Sequence, residues 1–181
     1  SGSKSSKSSL DSEIFSISRR QILEGVSIAL TARGAQAAEP VLEDGKKRGL
    51  PLRQIRDIVQ EDFEQRRCLV TGDLSQEIYA DDCVFTDPQM TCKGLKKFVS
   101  GTKALFYAPK SELELLEPVY TVGDDKIVAK WREVACFNIP LRPRTFFTGN
   151  LTLTLGKDNL ITSYVEQWDL SIPEILRTAK I

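Results

Sequence analysis

The sequence of 181 residues predicts an α+β domain in which three N-terminal helices pack on a curved, mostly antiparallel sheet. Two observations predict this class. Apolar residues recur every three or four positions in the first part of the folded region, and they alternate with polar residues in the last part. Helices followed by long strands are typical of α+β domains. We expect one domain over residues 50–181, since a globular unit commonly uses roughly 100–150 residues.

The helices are predicted between residues 51 and 108. Residues 51–71 carry apolar side chains at helical spacing, with a proline in the first turn and Gly72 after the last one. A short helix is expected over residues 74–80, with Asp73 as its N-cap. A third helix follows Gly94 and ends before Pro109, because a proline disfavours helical geometry in the residue before it.

The strands are predicted from the period-two pattern. A first strand covers residues 83–88 and is stopped by Pro88. Residues 111–171 alternate in long segments that are separated by three turn signals, which indicates four antiparallel strands joined by hairpins. The alternation is clearest in residues 145–155, where one face is predicted to carry Phe147, Gly149, Leu151, Leu153 and Leu155.

Residues 1–40 are predicted to be a disordered targeting segment, and residues 41–49 a linker. Half of the first 18 residues are serine, so this part has little to bury. Arg19 and Arg20 then precede an apolar stretch over residues 22–32 and an Ala-rich site with cleavage expected after Ala37 or Ala38. This order resembles a twin-arginine signal and predicts a chloroplast protein of the thylakoid lumen. The alternatives are a helix of the folded domain, or a stromal protein with a chance arginine pair.

The composition excludes several classes of function. The chain has no histidine, which removes Ser-His-Asp and Cys-His catalysis and histidine metal sites. Its 25 basic and 25 acidic residues give no net charge, so nucleic-acid binding is not expected. No apolar run reaches the ~20 residues of a membrane span. Phosphate-binding glycine motifs and histidine-bearing metal motifs are missing too, so we expect neither a cofactor nor a metal, with an all-carboxylate metal site as the open alternative.

The four cysteines, Cys68, Cys83, Cys92 and Cys136, show no metal-binding or redox spacing. Buried thiols are the ordinary interpretation. A disulfide stays possible in an oxidising compartment, and Cys83 and Cys92 could face each other across a hairpin. The sequence does not choose between these alternatives.

Residues 74–88 read Leu-Ser-Gln-Glu-Ile-Tyr-Ala-Asp-Asp-Cys-Val-Phe-Thr-Asp-Pro, and the last strand closes with Val-Glu-Gln-Trp-Asp at residues 165–169. Together with Gly94 before the third helix, these motifs resemble nuclear transport factor 2-like domains, in particular an uncharacterised plant and cyanobacterial branch. The resemblance implies a conical α+β barrel with a pocket between the curved sheet and the helices. The same scaffold hosts isomerases, dehydratases, cyclases and non-enzymatic binding domains, so the fold does not decide the function.

The resemblance makes Asp87 a catalytic candidate, because the aspartate of this Asp-Pro motif is the general base of ketosteroid isomerases. The supporting tyrosine of those enzymes is replaced by Gln65, so steroid-type isomerisation is not expected. The alternative is that Asp87 ends a strand and that its carboxylate accepts hydrogen bonds from nearby backbone amides.

Strand alternation supplies the other candidates. Tyr164 and Glu166 share a mostly apolar face, where a carboxylate needs either a cation or a wet pocket, so both join Asp87 as acid/base candidates. The expected pocket-lining residues are Trp131, Glu133, Phe147 and Trp168 on the strands, together with Tyr79 and Tyr107 at predicted helix ends. The alternatives are core packing for the two tryptophans, and a sheet edge or dimer interface for the glutamates.

Three functions therefore stay open. The first is a domain that binds a small apolar ligand. The second is an interaction module whose open sheet face forms a homodimer or docks on a thylakoid protein complex. The third is a cofactor-free lyase or isomerase that uses Asp87 with Tyr164 or Glu166. An open cavity with inward carboxylates favours the first and third, whereas an interior filled by aromatic rings favours the second.

Overall fold

The computed structural model describes residues 44–180, and its two main helices form where apolar residues recur at helical spacing. Helix α1 spans Leu52–Glu64 and buries Ile55, Val59 and Phe63 on one side. Helix α3 spans Leu95–Leu105 and follows Gly94, whose φ of 109° suits glycine. Its buried apolar side chains are Leu95, Phe98, Val99 and Leu105.

The helix predicted over residues 51–71 is interrupted. Arg67 adopts a left-handed conformation with φ 51°, and helix α2 then spans Cys68–Thr71 and ends at Gly72, which has φ 65°. The left-handed geometry is costly for a residue with a side chain. Here the guanidinium of Arg67 donates hydrogen bonds to the backbone carbonyls of Ala108 and Ser111, and these contacts hold the break in place.

The prediction of a helix over residues 74–80 is wrong. Only a single 3-10 turn forms, at Gln76–Ile78, and strand β1 already begins after it, spanning Tyr79–Thr86. Tyr79 pairs with Ile161 of the last strand. Tertiary pairing with a distant strand therefore overrides the local helical pattern.

Five strands form after residue 111, where four were predicted, and the three long ones follow the period-two pattern. After β1 the strands are β2 (Thr91–Lys93), β3 (Glu112–Leu115), β4 (Tyr120–Val122), β5 (Lys126–Cys136), β6 (Arg144–Leu155) and β7 (Ile161–Trp168). A further helix, α4, spans Ile172–Arg177 and was not predicted. It begins with a capping box between Ser171 and Glu174.

The seven strands form one mixed sheet in the order β2-β1-β7-β6-β5-β3, with β4 also paired to β5. Strands β1 and β7 are parallel, and the other pairs are antiparallel. The α+β class is thus confirmed. The prediction of three helices ahead of the sheet is not, because β1 and β2 precede α3 and the middle predicted helix is the 3-10 turn.

The sheet has a buried inner face and a half-exposed outer face. On β6 the buried positions include Gly149, Leu151, Leu153 and Leu155, which confirms the predicted alternation. Helices α1 and α3 contact the strands, and their apolar residues join those of the inner face in one core. The core therefore lies between the sheet and these helices.

The described part of the predicted linker, residues 44–49, is attached to the domain. The backbone N–H of Lys47 donates to the carbonyl of Glu77, and that of Gly49 donates to the carbonyl of Asp158. The Lys46 side chain is only 7% exposed and its ammonium lies 2.9 Å from Asp81 Oδ1. This short segment therefore belongs to the folded unit, while residues 1–43, which include the predicted targeting segment, lie outside the described residues.

All four cysteines are buried free thiols. In the hairpin of β1 and β2, Cys92 lies opposite Phe85 and not opposite Cys83, so the register does not bring these two thiols together. Burial raises the pKa of the Cys83 thiol to about 12. Within residues 44–180 no helix has both the length and the apolar character that crossing a membrane requires.

A buried carboxylate joins α1 to the loop that precedes β1. Asp62 is 1% exposed. Its oxygens accept hydrogen bonds from the backbone N–H of Ser75 at 2.9 Å and from the Ser75 hydroxyl at 2.8 Å. Burial raises the pKa of Asp62 from 3.8 to about 6, against the opposing effects of the Ser75 hydrogen bonds and the nearby Arg66.

This raised pKa predicts that stability falls as pH rises. Between the unfolded pKa near 3.8 and the folded pKa of about 6, the folded chain binds the proton more tightly, so the contribution of Asp62 is full below this range and lost above it. We expect the unfolding free energy of the wild type, taken relative to that of Asp62→Asn, to fall by about 2–3 kcal/mol from pH 4 to pH 7. Urea denaturation at several pH values measures this.

The matched control is Glu64→Gln, which removes an exposed carboxylate from the same helix. Its stability difference from the wild type should stay nearly constant with pH. A flat difference for Asp62→Asn as well would contradict the assignment.

Candidate functional site

A small cavity lies between α3 and strands β1, β2 and β7. It measures about 20 Å³ and opens to solvent, which gives room for about one water molecule or a group of that size. Its lining combines apolar rings with two carboxylates. The lining residues are Phe85, Thr86, Asp87, Met90, Cys92, Phe98, Gly101, Thr102, Tyr164 and Glu166.

The register of the sheet brings the lining residues together. Phe85 of β1 pairs with Tyr164 of β7 on one side and with Cys92 of β2 on the other. Phe98 and Thr102 are four residues apart on α3 and therefore share a helix face. The rings of Phe85 and Phe98 stack at 4.0 Å, and the Tyr164 ring lies 5.1 Å from each. One wall of the cavity is thus aromatic.

Glu166 is held by two donors from its own strand. The Tyr164 hydroxyl donates to Oε1 at 2.7 Å, and the indole N–H of Trp168 donates to Oε2 at 3.1 Å. The glutamate is 6% exposed. Burial raises the pKa of Tyr164 well above 10, and the charge of Glu166 raises it further. Tyr164 therefore stays protonated and serves as a hydrogen-bond donor.

Asp87 lies where β1 ends and forms the turn to β2. Its Oδ1 accepts hydrogen bonds from the backbone amides of Gln89 at 2.7 Å and Met90 at 2.9 Å. Its own backbone N–H donates to the carbonyl of Met90. The carboxylate thus accepts the backbone hydrogen bonds of a turn, which was the alternative role predicted for Asp87. It also borders the cavity.

The three catalytic candidates therefore meet at one cavity. Asp87, Tyr164 and Glu166 come from β7 and from the turn after β1, which are neighbours because β1 and β7 are paired in parallel. No lysine or arginine lines the cavity among the described residues. The charged side chains in the described lining are the two carboxylates.

Three of the expected pocket residues instead form an aromatic cluster on the inner face of the sheet. Trp131 lies edge-on to Phe147 with ring centres 5.5 Å apart, and Phe147 lies 5.3 Å from Trp168. Trp131 is fully buried, and its indole N–H has no hydrogen-bond partner among the described residues. The cluster does not line the cavity. It packs against the core, which was the alternative role for the tryptophans.

The other three expected pocket residues lie elsewhere. Glu133 is buried beside this cluster and borders a separate open groove with Phe147. Tyr79 is buried behind Phe85, with ring centres 6.3 Å apart, and burial raises its pKa well above 10. Tyr107 lies under the guanidinium of Arg142, 3.4 Å from the ring centre. None of the three lines the small cavity.

Several lining residues were missed by the sequence analysis, among them Phe85, Cys92, Phe98 and Thr102. A signal for the helical pair was present, since Phe98 and Thr102 are spaced by one helical turn. The position of Cys92 depends on the register of the β1–β2 hairpin. Within residues 44–180, no group of three or more acidic or thiol side chains could hold a metal ion.

Comparison with protein families gives one match. Residues 53–164 match the model of the family described as "Uncharacterized conserved protein (DUF2358)". The chain belongs to this family. Among curated proteins, no relative matches.

Comparison with solved structures identifies the fold. A protein described as a SnoaL-like polyketide cyclase from Jannaschia sp. CCS1 has a TM-score of 0.53 and 14% identity, over 80% of this chain and 96% of that chain. A nuclear transport factor 2 (NTF2-like) superfamily protein from Salmonella enterica has a TM-score of 0.49 and 14% identity, over 66% and 94%. An NTF2-like protein of unknown function from Cytophaga hutchinsonii has a TM-score of 0.46 and 16% identity, over 63% and 88%. At this identity, the likeness to the Jannaschia protein shows the fold alone.

Proposed function

We propose that the domain binds a small molecule at the cavity between α3 and strands β1, β2 and β7. The observation that carries this proposal is the meeting of Asp87, Tyr164 and Glu166 at one opening with aromatic walls. Binding sites typically combine an apolar lining with a few convergent polar groups. Because the cavity is small, only one end of the ligand fits inside it, and the rest of the ligand lies near the protein surface.

Binding is favoured over proton-transfer chemistry by the hydrogen bonds of the candidates. A general base must offer an oxygen to the proton of a substrate. Oδ1 of Asp87 already accepts two backbone amides, and each oxygen of Glu166 accepts a donor from β7. These contacts hold both carboxylates in fixed orientations, which suits a binding role. The lyase or isomerase function is therefore the weaker candidate.

A fragment screen by protein-observed NMR tests the binding function. The chain has two tryptophans and hence two indole N–H signals. The Trp168 indole donates to Glu166, so we expect ligands to shift this signal together with the backbone amides of Phe98 and Thr102. The Trp131 signal should move less, because Trp131 does not line the cavity.

A blocking variant sharpens this test. Thr102→Met places a longer side chain in the cavity and should abolish the shifts, at a cost of about 1–3 kcal/mol in stability from overpacking. Thr121→Met, at an exposed position on β4, is the control and should bind normally. A screen in which every shift maps outside the cavity, or persists in folded Thr102→Met, would refute the function.

A second candidate function is assembly with another copy of the chain through the outer face of the sheet. A row of register partners crosses this face through five strands, and its members are Thr86, Val165, Thr152, Val128 and Tyr120. All five are uncharged; four are partly buried, and Tyr120 is exposed. An uncharged, partly apolar row of this kind is typical of interfaces between proteins, and the exposed Lys126, Lys130 and Arg132 on the same face of β5 lie beside it.

The oligomeric state tests this candidate. We expect a dimer in light scattering after size-exclusion chromatography, and a monomer for Thr152→Lys, which places a charge in the middle of the face. Ser100→Lys, on the exposed side of α3, should remain a dimer. A wild type that stays monomeric over the whole concentration range would exclude self-association and leave a different protein, such as a thylakoid partner, as the occupant.

We also propose that the protein acts in the chloroplast thylakoid lumen. The support is the arginine pair, the apolar stretch and the Ala-rich site in residues 19–38. The expected cleavage after Ala37 or Ala38 would leave the attached segment that begins at Asp44 intact. Sequencing the N-terminus of the protein from chloroplasts should give a start at residue 38 or 39. A start upstream of Arg19 would contradict export.

A further inference from the structure

The turn between β5 and β6 displays an apolar side chain on a strained backbone. Leu141 and Arg142 have φ angles of 67° and 45°, in the left-handed region that is unfavourable for residues with a side chain. Arg142 also precedes Pro143, and a residue before proline ordinarily adopts an extended conformation. Leu141 is 61% exposed, the highest value for a large apolar side chain in residues 44–180. The strain therefore does not serve to bury this leucine.

Contacts with α3 and with the segment after it hold the turn in place. The backbone N–H of Asn138 donates to the carbonyl of Leu105 at 2.8 Å. The guanidinium of Arg142 lies 3.4 Å from the centre of the Tyr107 ring. Strained backbone that the surrounding structure holds in place is found mainly at functional sites. The protein thus keeps Leu141 in a fixed, exposed position.

Cationic side chains lie at the same end of the sheet. The backbones of Arg144 and Lys180 pair with each other through two hydrogen bonds, of 2.8 and 2.9 Å. Their charged groups lie 5.7 and 5.3 Å from the centre of the Phe146 ring. This half-buried ring therefore has a cation from β6 and another from the segment after α4.

Few carboxylates oppose this positive charge. Within residues 44–180, no ion pair joins a carboxylate to Lys110, Arg142, Arg144 or Lys180. Glu112 lies on the same register row as Phe146 and borders a groove that it shares with Arg132. The charge near the turn is therefore mainly positive. We call the four cations and the exposed leucine the turn patch; its members are Lys110, Leu141, Arg142, Arg144 and Lys180.

The turn patch is complementary to the surface of a membrane that contains anionic lipids. Lys and Arg side chains near such a surface are attracted by the headgroups. An apolar side chain beside them can enter the boundary between headgroups and acyl chains. A small soluble anion would satisfy the cations but leave Leu141 in water. The combination of both features therefore favours a lipid surface.

We propose that the turn patch binds the surface of a membrane that contains anionic lipids. Leu141 enters the interface, and the four cations contact the headgroups. This contact is additional to the proposed binding of a small molecule. None of the five residues lines the small cavity, so either proposal can fail without the other.

Co-sedimentation of the full chain with lipid vesicles tests the charge of the partner surface. We expect binding to vesicles of phosphatidylcholine with phosphatidylglycerol, and none to vesicles of phosphatidylcholine alone. Added salt should weaken the binding, because it screens charges at a surface. The double variant Arg144→Gln, Lys180→Gln should bind about 25-fold more weakly, since each cation near an anionic membrane contributes about fivefold.

Leu141→Asn tests the apolar tip separately from the fold. Asparagine tolerates the left-handed conformation better than leucine, so this variant should be at least as stable as the wild type in urea denaturation. It should nevertheless bind the anionic vesicles at least about tenfold more weakly, because the leucine is no longer buried in the interface. A merely structural role of Leu141 would not separate stability from binding in this way.

Two variants elsewhere on the surface are the controls. Leu116→Asn removes another leucine that is 53% exposed, and Lys157→Gln removes an exposed cation in the turn after β6. Both should bind like the wild type. Circular dichroism verifies the fold of each variant.

The proposal is overturned if the wild type does not bind the anionic vesicles or binds the neutral ones equally well. It is also overturned if folded Leu141→Asn binds as the wild type does. Should polyglutamate bind the wild type and Leu141→Asn with equal affinity and displace the vesicles, the patch would be a site for an acidic protein.

Discussion

The contact of Trp131 with the backbone at Gly149 determines how strands β5, β6 and β7 fit together. Trp131 of β5, Gly149 of β6 and Trp168 of β7 are successive register partners. A Cβ atom at position 149 would lie 2.4 Å from the carbonyl oxygen of Gln167 and 2.8 Å from the Trp131 ring. Only glycine allows this approach. Because a slip of one residue would turn every side chain to the opposite face, the contact also fixes which residues point inward.

The aromatic cluster that follows from this register fills part of the interior that the sequence analysis assigned to a pocket. Trp131, Phe147 and Trp168 pack in a chain across the inner face of β5, β6 and β7. These rings pack in the core between the sheet and the helices. The cavity with the carboxylates lies where α3 meets β1, β2 and β7. Trp168 joins the two regions, since its ring packs in the cluster and its N–H binds Glu166.

The fold was largely predictable from local patterns, and the errors have specific physical causes. Alternation in β5, β6 and β7 identified the inward residues correctly, because each of these strands has one buried face. The break at Arg67 depends on carbonyls about forty residues away, and the start of β1 at Tyr79 depends on Ile161, so neither is visible locally. Helix α4 had a local signal in its capping box, which the sequence analysis overlooked. Alternation placed Glu133 and Glu166 on the inner face, but it could not show that β6 separates them.

The absence of histidine has a further meaning once the geometry of the cavity is known. Without an imidazole, acid/base chemistry near neutral pH would have to use Asp87, Tyr164 or Glu166. The Tyr164 hydroxyl donates a hydrogen bond to Glu166, and its raised pKa keeps the proton on the tyrosine. The carboxylates are oriented by hydrogen bonds from Tyr164, Trp168 and the turn amides. The side chains that would have to replace the imidazole are therefore held in place by hydrogen bonds that also order the turn after β1 and the inner face of β7.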